Sequence, residues 1–488
     1  MQGKTVLNFW FRLTFLLLLL QIKHIYAFQT ISLSLLADES VLVEIKSEKS
    51  QEFWEFLVSY AGISGLEKRI QDLEFSDEDG AKVFFEKIAE GKFVVSKPVK
   101  NLSYKVKISI DDRMTGFAYV SWMNKMEGLL ILSDLIPRNF ESSSAKLTFN
   151  FPYGWKILSN NKQLDENSFF VERIEKAVFL VCREFQERSF FVGKTAVNFL
   201  FVGDWDFAES ASKLAERIFA EYTKKLGKLS FQRVQICLIS FPKKVRFNYW
   251  EAETKGANIT IVSAPAVFKS NALNLLSEQL RHEILHLWVP NSLALRGNYD
   301  WFFEGFVVYQ SLKTGVFMGE IRFEDFLSYL ATAFRLVNQH DAFEDSLIEL
   351  SEKRWKLPIT DPKSMLFYAK SLLVAFMFDM NLLEKGKDGV EIVFRELLNS
   401  ALSGEERAND VILAILKRYD VRLVEQYIQG TEKIDLQISK FGIQKSEASG
   451  VIKFEVAENL TSKQKNLLKK LGYNQWLKFS VKVKNEKG

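Results

Sequence analysis

Apolar and polar residues alternate through the first third of the chain. ISLSLLA (31–37), YKVKISI (104–110), GFAYVSW (116–122), GLLILSD (128–134), KLTFNF (146–151) and VFLVCREF (178–185) repeat with the period of a strand that buries one face. One stretch between them, SQEFWEFLVSYAGISGLEKRIQDL (50–73), reads as a helix. Residues 28–193 therefore predict a β-sandwich-like domain with a helical insertion. From Lys194 the pattern changes. KTAVNFLFVG is a strand, and FAESASKLAERIFAEYTKKLG is an amphipathic helix stopped by Gly227. VQICLISFP and ANITIVSAP are further strands. Long helical patterns follow: SNALNLLSEQLRHEILHLW, WFFEGFVVYQSLKTG, FEDFLSYLATAFRLVNQ, KSMLFYAKSLLVAFMFDMNLL and VEIVFRELLNSAL. Strands giving way to helices predict an α+β multidomain chain, with an α+β domain over 194–318 and a helical subdomain over 319–431. A short tail, 432–488, shows two weak strands around TSKQKNLLKKLGY, whose lysines form one solvated helix face.

Composition adds bounds. The 488 residues are 47% hydrophobic and 26% charged, enough for substantial cores. At roughly 100–200 residues per domain the chain holds two to four domains. A net charge of +4 gives no reason to expect a nucleic-acid partner. At the N-terminus, Lys4 and Arg12 precede the apolar run Leu13–Leu20, and a small residue, Ala27, follows. That order predicts a signal peptide over 1–27 and an extracytoplasmic protein, periplasmic or secreted. The run is shorter than the roughly 20 apolar residues of a bilayer span. An uncleaved anchor reaching back through Phe9 is the other reading. No later segment reads as long and apolar enough to cross a membrane, so no stable insertion is expected after cleavage. Cys182 and Cys237 both sit in apolar strand patterns, either as two buried thiols or as one disulfide. Nothing in the sequence fixes an oligomeric state.

The candidate chemistry begins at HEILHLW (282–288). On a helix, His282 and His286 share one face about a turn apart, so two imidazole nitrogens can reach one ion. Glu283 is rotated from them by about 100° and can reach a water at that ion, the general-base position of His-Glu-x-x-His. Asn271 is the expected N-cap, Leu273, Leu276, Leu280 and Leu287 the apolar stripe, and Pro290 the stop. A core helix with hydrogen-bonded histidines is the alternative. A catalytic zinc takes three protein ligands. Glu304, inside WFFEGFVVY, is costly to bury unpaired. Either a metal or a salt bridge to Arg281 or Arg296 explains it. His340, in LVNQHDAF, has no metal-spaced partner and is expected at the surface.

HEILHLW followed by WFFEGF resembles the zinc site of the gluzincin peptidases. The aminopeptidase N family has a similar pair of motifs, one residue further apart. The closer resemblance is to the glycyl aminopeptidase family, whose His-Glu-x-x-His carries a Trp two residues later, as Trp288 stands here. LTFNFPYGWKI is similar to the end of that family's N-terminal β-domain. GDWDFAESASKLAERIFAEY is similar to the first catalytic helix, and FYAKSLLVAFMFDMNLL to the Tyr-x-Lys-Gly helix. The similarity runs over roughly 145–440.

The resemblance implies a thermolysin-like catalytic domain and one Zn2+ held by His282, His286 and Glu304. Glu283 is then the general base and Tyr368 the oxyanion donor, with Ser371 standing where the motif has Gly. YWEAETKGANITIVS keeps only Glu253 and Gly256 of the strand that, in aminopeptidase N relatives, lies along the substrate and holds its free amine. Facing the cleft, Glu253 makes an exopeptidase; the bland reading is a strand-end Glu paired with Lys255. The implied activity is peptide-bond hydrolysis on a peptide or protein substrate, as an aminopeptidase or as an endopeptidase. A non-catalytic peptide-binding relative is the rival from another class, and the intact Glu283 speaks against it. The tail after 432 is too short for the PDZ domain that such relatives often carry, and the chain before about 145 matches poorly.

Overall fold

Strand β1 (Phe28–Leu35) pairs antiparallel with β2 (Ser40–Glu55), and β2 with β3 (Lys92–Lys107). On its other side β1 runs parallel to β4 (Ser144–Asn150). Alternation puts Ile31, Leu33, Val41, Val43, Tyr104 and Leu147 on the buried face of this sheet. A second sheet, through Glu127–Ile131 and Val178–Cys182, shares that core, with Phe179 against Phe149 and Phe169 at 5.0 and 5.2 Å. This computed structural model describes residues 28–110, 114–264, 268–339, 344–354, 361–400, 403–448 and 450–473. The expected leader, 1–27, and His340 lie outside the described residues.

The helix expected over 50–73 is not formed. The segment finishes β2, makes a small hairpin (Ser59–Tyr60 with Ile63–Ser64) and a 3-10 turn (Leu66–Arg69), and starts the strand Ile70–Ser76. Trp54 and Phe56 alternate inward with strand period, and Trp54 packs on Phe75 and Phe140 at 5.5 and 5.7 Å. Gly62 and Gly65 take φ of 79° and 78°, which a right-handed helix forbids. GFAYVSW also departs from its expected strand. It is mostly turn, because the buried Glu251 carboxylate accepts from the backbone N–H of Gly116 and Ala118, both at 3.3 Å.

The next sheet has the order β5–β6–β7–β9–β8: Gln186–Val192, Thr195–Val202, Arg233–Ser240, Asn258–Ser263 and, at the edge, Trp250–Lys255. It starts at Gln186, ahead of residue 194, because β5 pairs with β6. Helix α1 (Ala208–Leu226) and α2 (Lys269–His286) pack on this sheet, and Trp288 Nε1 donates to Gly227 O at 3.1 Å, tying their C-terminal ends together. Cys182 and Cys237 are buried free thiols, each pushed up to about 12 by burial.

WFFEGFVVYQSLKTG is not one helix. It breaks at Glu304 into α3 (Asp300–Phe303) and α4 (Gly305–Met318). The remaining helices include α5 (Phe323–Asn338), α6 (Leu347–Arg354), α7 (Pro362–Glu384), α8 (Glu391–Leu398) and α9 (Ala408–Tyr419). In the tail both strands, Ile443–Ala448 and Val451–Val456, precede TSKQKNLLKKLGY, which forms a capped helix, Ser462–Lys470.

Helix α7 corrects the expectation that no later segment is long and apolar enough to cross a membrane. It is 23 residues long, and an 18-residue stretch of it reaches that apolarity. The physical reason lies in its surroundings: 83% of that stretch is buried within the protein, against α4, α5 and α6. Gly305 lets α4 approach α7; a Cβ there would stand 2.0 Å from Ser371 Cβ. The whole is a mixed α/β fold of several sheets and a helical assembly.

Candidate active site

Helix α2 starts two residues before the expected cap. Phe268, with extended backbone at φ −122° and ψ 135°, is the N-cap, so Asn271 lies inside the first turn. Leu276, Leu280, Ile284 and Leu287 anchor the helix in the core, and Leu273 is half-buried. Its other face carries His282 and His286, whose Nε2 atoms stand 3.0 Å apart. Glu304, presented at the α3–α4 break, brings Oε2 to 3.6 Å from His282 Nε2. One donor atom from each of the three residues lies within 4.8 Å of the others. His286 Nδ1 is 3.0 Å from Val289 O, so that nitrogen donates and Nε2 keeps its lone pair. Burial pushes His286 down to about 4, with help from His282. Burial alone would raise Glu304, yet Arg354, His282 and His286 outweigh it and hold the carboxyl well below its ordinary range. His282, beside the Glu304 and Glu283 carboxylates, is held above its ordinary value despite burial. Two imidazoles and one carboxylate are a donor set that zinc prefers.

The salt bridges considered for Glu304 are absent among the described residues. Arg281 pairs with Glu320 at 2.6 Å, and Arg296 with Glu405. The cation facing Glu304 is Arg354, 3.9 Å away.

Glu283 points to the edge strand β8. Thr254 Oγ1 lies 2.7 Å from Glu283 Oε2 and donates to it. Burial pushes the Glu283 carboxyl up to about 7, against the lowering effects of His282 and Thr254. Tyr368, on α7, has its hydroxyl 3.5 Å from Glu304 Oε2 and accepts from Arg354. Burial raises the phenol well above its ordinary value, so it stays protonated and can donate. A cavity of about 650 Å³ opens over these groups, with Tyr60, Tyr119 and Glu253 in its wall.

Glu253 combines both readings open in the sequence. It faces the cavity and it pairs with Lys255 at 3.5 Å. Tyr60 donates to the same carboxylate, and Lys255 Nζ sits 4.3 Å from the Tyr60 ring centre. Glu253 Oε2 is buried without a hydrogen-bond partner among the described residues. Gly256 is not part of the cavity wall. It is the turn between β8 and β9, at φ 61°, with its N–H on Asn291 Oδ1 at 2.8 Å.

Sequence reasoning did not find Thr254, Tyr60, Tyr119 or Arg354. The signal for Thr254 was its place beside Glu253 in the strand already singled out, and both line the cavity. The other three reach the site only through the folded chain.

The fold has solved counterparts. The crystal structure of an aminopeptidase N family protein from Idiomarina loihiensis superposes with a TM-score of 0.68 at 13% identity, over 86% of this chain and 79% of that one. The fold is that of the aminopeptidase N family. A two-domain M1 zinc metallopeptidase mutant bound to L-arginine matches with a TM-score of 0.50 at 12% identity, over 84% of this chain and 94% of that one. An M1 zinc metallopeptidase mutant from Deinococcus radiodurans matches with 0.50 at 12%, over 80% and 90%. No protein-family model and no curated protein matches this chain.

Proposed function

We propose that this chain is an exported zinc-dependent metallopeptidase acting as an aminopeptidase. Its parts are then a β-sandwich-like N-terminal domain, a thermolysin-like catalytic domain whose sheet begins at Gln186, a helical subdomain (319–431) and a short tail. The observation that carries the reading is the convergence of His282, His286 and Glu304 with Glu283 beside them on the same helix. Those three residues would hold a zinc ion, which would supply Lewis acidity toward a carbonyl and toward water. Glu283, buried and near neutral in its pKa, takes the proton of the attacking water and returns it to the leaving amine. Tyr368 donates to the carbonyl oxygen as it gains charge. Glu253 accepts from the substrate's free amine, for which its unpartnered oxygen supports the reading. Export rests on the leader pattern of residues 1–27.

Elemental analysis of the purified protein is the first test. About one zinc per chain is expected, and almost none in a folded His282→Ala variant. A folded parent that takes up no zinc when supplied with it sinks the reading.

One observation favours a second reading on the same scaffold, an endopeptidase. Lys255 already stands 3.5 Å from Glu253, so an incoming ammonium must share that carboxylate with a lysine. Matched peptides with free and acetylated N-termini separate the two. An aminopeptidase cleaves the free series at least about 100-fold faster, the size of effect expected when a buried polar group is left unpaired. Equal rates assign the endopeptidase.

A further inference from the structure

Arg354 ends α6 and belongs to neither motif. Its side chain is largely buried, 17% exposed, in the wall of the cavity. Three of its guanidinium's engagements bear on the site. Nη1 donates to Asp300 Oδ2 at 3.0 Å, on the turn of helix that leads into Glu304. The same nitrogen stands 3.9 Å from Glu304 Oε1. Nη2 donates to the Tyr368 hydroxyl, and the guanidinium carbon is 4.8 Å from the centre of that tyrosine's ring. One planar fork therefore spans the two elements that carry Glu304 and Tyr368.

We propose that Arg354 is a positioning residue that aims the Tyr368 hydroxyl toward the reacting carbonyl; the proposal rests on the peptidase reading above. A phenol oxygen that accepts from a guanidinium on one side must direct its own O–H away from that donor. Here the far side is the site, where Glu304 Oε2 lies at 3.5 Å. Donation from a cation also polarises the hydroxyl and makes it a stronger donor. The other arm of the fork, on Asp300, keeps the guanidinium from swinging into the cavity. A lysine offers a single point charge and cannot hold both anchors at the same geometry.

The test is a double-mutant cycle on the zinc-loaded protein with Arg354→Lys and Tyr368→Phe, with parent and Glu283→Gln as references. Tyr368→Phe is expected to lower kcat by about 100-fold or more, the usual cost of an oxyanion donor. Arg354→Lys is expected to lower kcat by about tenfold or more, with KM changed less than threefold and zinc content unchanged. The double variant should be no slower than Tyr368→Phe alone, because Arg354 acts through that hydroxyl. Binding of a phosphinic dipeptide, a tetrahedral anion, gives a readout apart from turnover. Its affinity should fall in Arg354→Lys and fall no further in the double variant, while a product peptide binds as before.

Multiplicative losses in the cycle, or loss of zinc from Arg354→Lys, overturn the proposal and leave Arg354 a structural ion pair. If Arg354→Lys does not fold, Asp300→Asn unfastens the guanidinium instead and must show the same non-additivity with Tyr368→Phe. A parent without zinc-dependent cleavage above the Glu283→Gln background defeats the peptidase reading and Arg354's role with it. An active parent with a multiplicative cycle defeats only the latter.

Discussion

Glu283→Gln is expected to abolish turnover while leaving the metal in place. The amide keeps the size of the carboxylate and can still accept from Thr254 Oγ1, which lies 2.7 Å from Glu283 Oε2. It cannot take a proton from water, so kcat should fall by about 10³-fold, within the range lost when a general base is removed. The three converging donor atoms belong to His282, His286 and Glu304, so zinc per chain should match the parent. The melting temperature should not fall, because burial already disfavours the ionised carboxyl there. Kinetics and elemental analysis on one preparation check both halves. Loss of zinc in step with activity would place Glu283 among the ligands rather than beside them.

Legibility in the sequence followed locality. His282, Glu283 and His286 were readable because their relation is set by the helix repeat alone. Glu304 was readable because an acid within WFFEGFVVY demands a partner. Its true setting, a break between α3 and α4, was not, since the apolar run on both sides continues with helical period. The strands β6, β7 and β9 followed from their apolar runs, whereas 50–73 misled because its aromatics fit a helical spacing as well as a strand's. There Gly62 and Gly65, at positive φ, were the signal that the sequence did offer. Arg354 was beyond reach for a different reason. Its partners Asp300, Glu304 and Tyr368 come from α3, the α3–α4 break and α7, and no spacing rule joins them. The same applies to Tyr60, delivered to Glu253 from the N-terminal part of the chain.

Asp379→Ala is expected to be the most destabilising single change in the helical part of the molecule. Lys313, on α4, is buried with its Nζ 2.8 Å from Asp379 Oδ1 and 2.9 Å from Glu391 Oε2. Asp379 also accepts from the Tyr309 hydroxyl at 2.6 Å and from Val390 N–H at 2.7 Å. Alanine leaves a lysine short of one anion and two donors without an acceptor, all away from water. Breaking a buried pair in this way costs about 3–5 kcal/mol. Asp379→Asn keeps one carbonyl oxygen to accept from Val390 N–H, and its amide nitrogen can donate to the Tyr309 hydroxyl, which then accepts; it should cost clearly less, so urea unfolding of the two variants separates the charge from the hydrogen bonds. A loss below about 1 kcal/mol for alanine would mean that the network contributes little net stability.

The network also carries a pH signature. Burial lowers the Lys313 pKa, but Asp379 and Glu391 outweigh it and lift the ammonium from 10.5 to about 12. A pKa raised in the folded state gives stability that is complete below 10.5 and lost as pH climbs through about 12. That alkaline loss should be smaller in Asp379→Asn, where one of the two anions is gone. Because Lys313 and Asp379 sit on α4 and α7, they clamp the two helices that deliver Glu304 and Tyr368. Activity in Asp379→Ala should therefore fall at temperatures where the protein is still folded, as the two halves of the site lose their register.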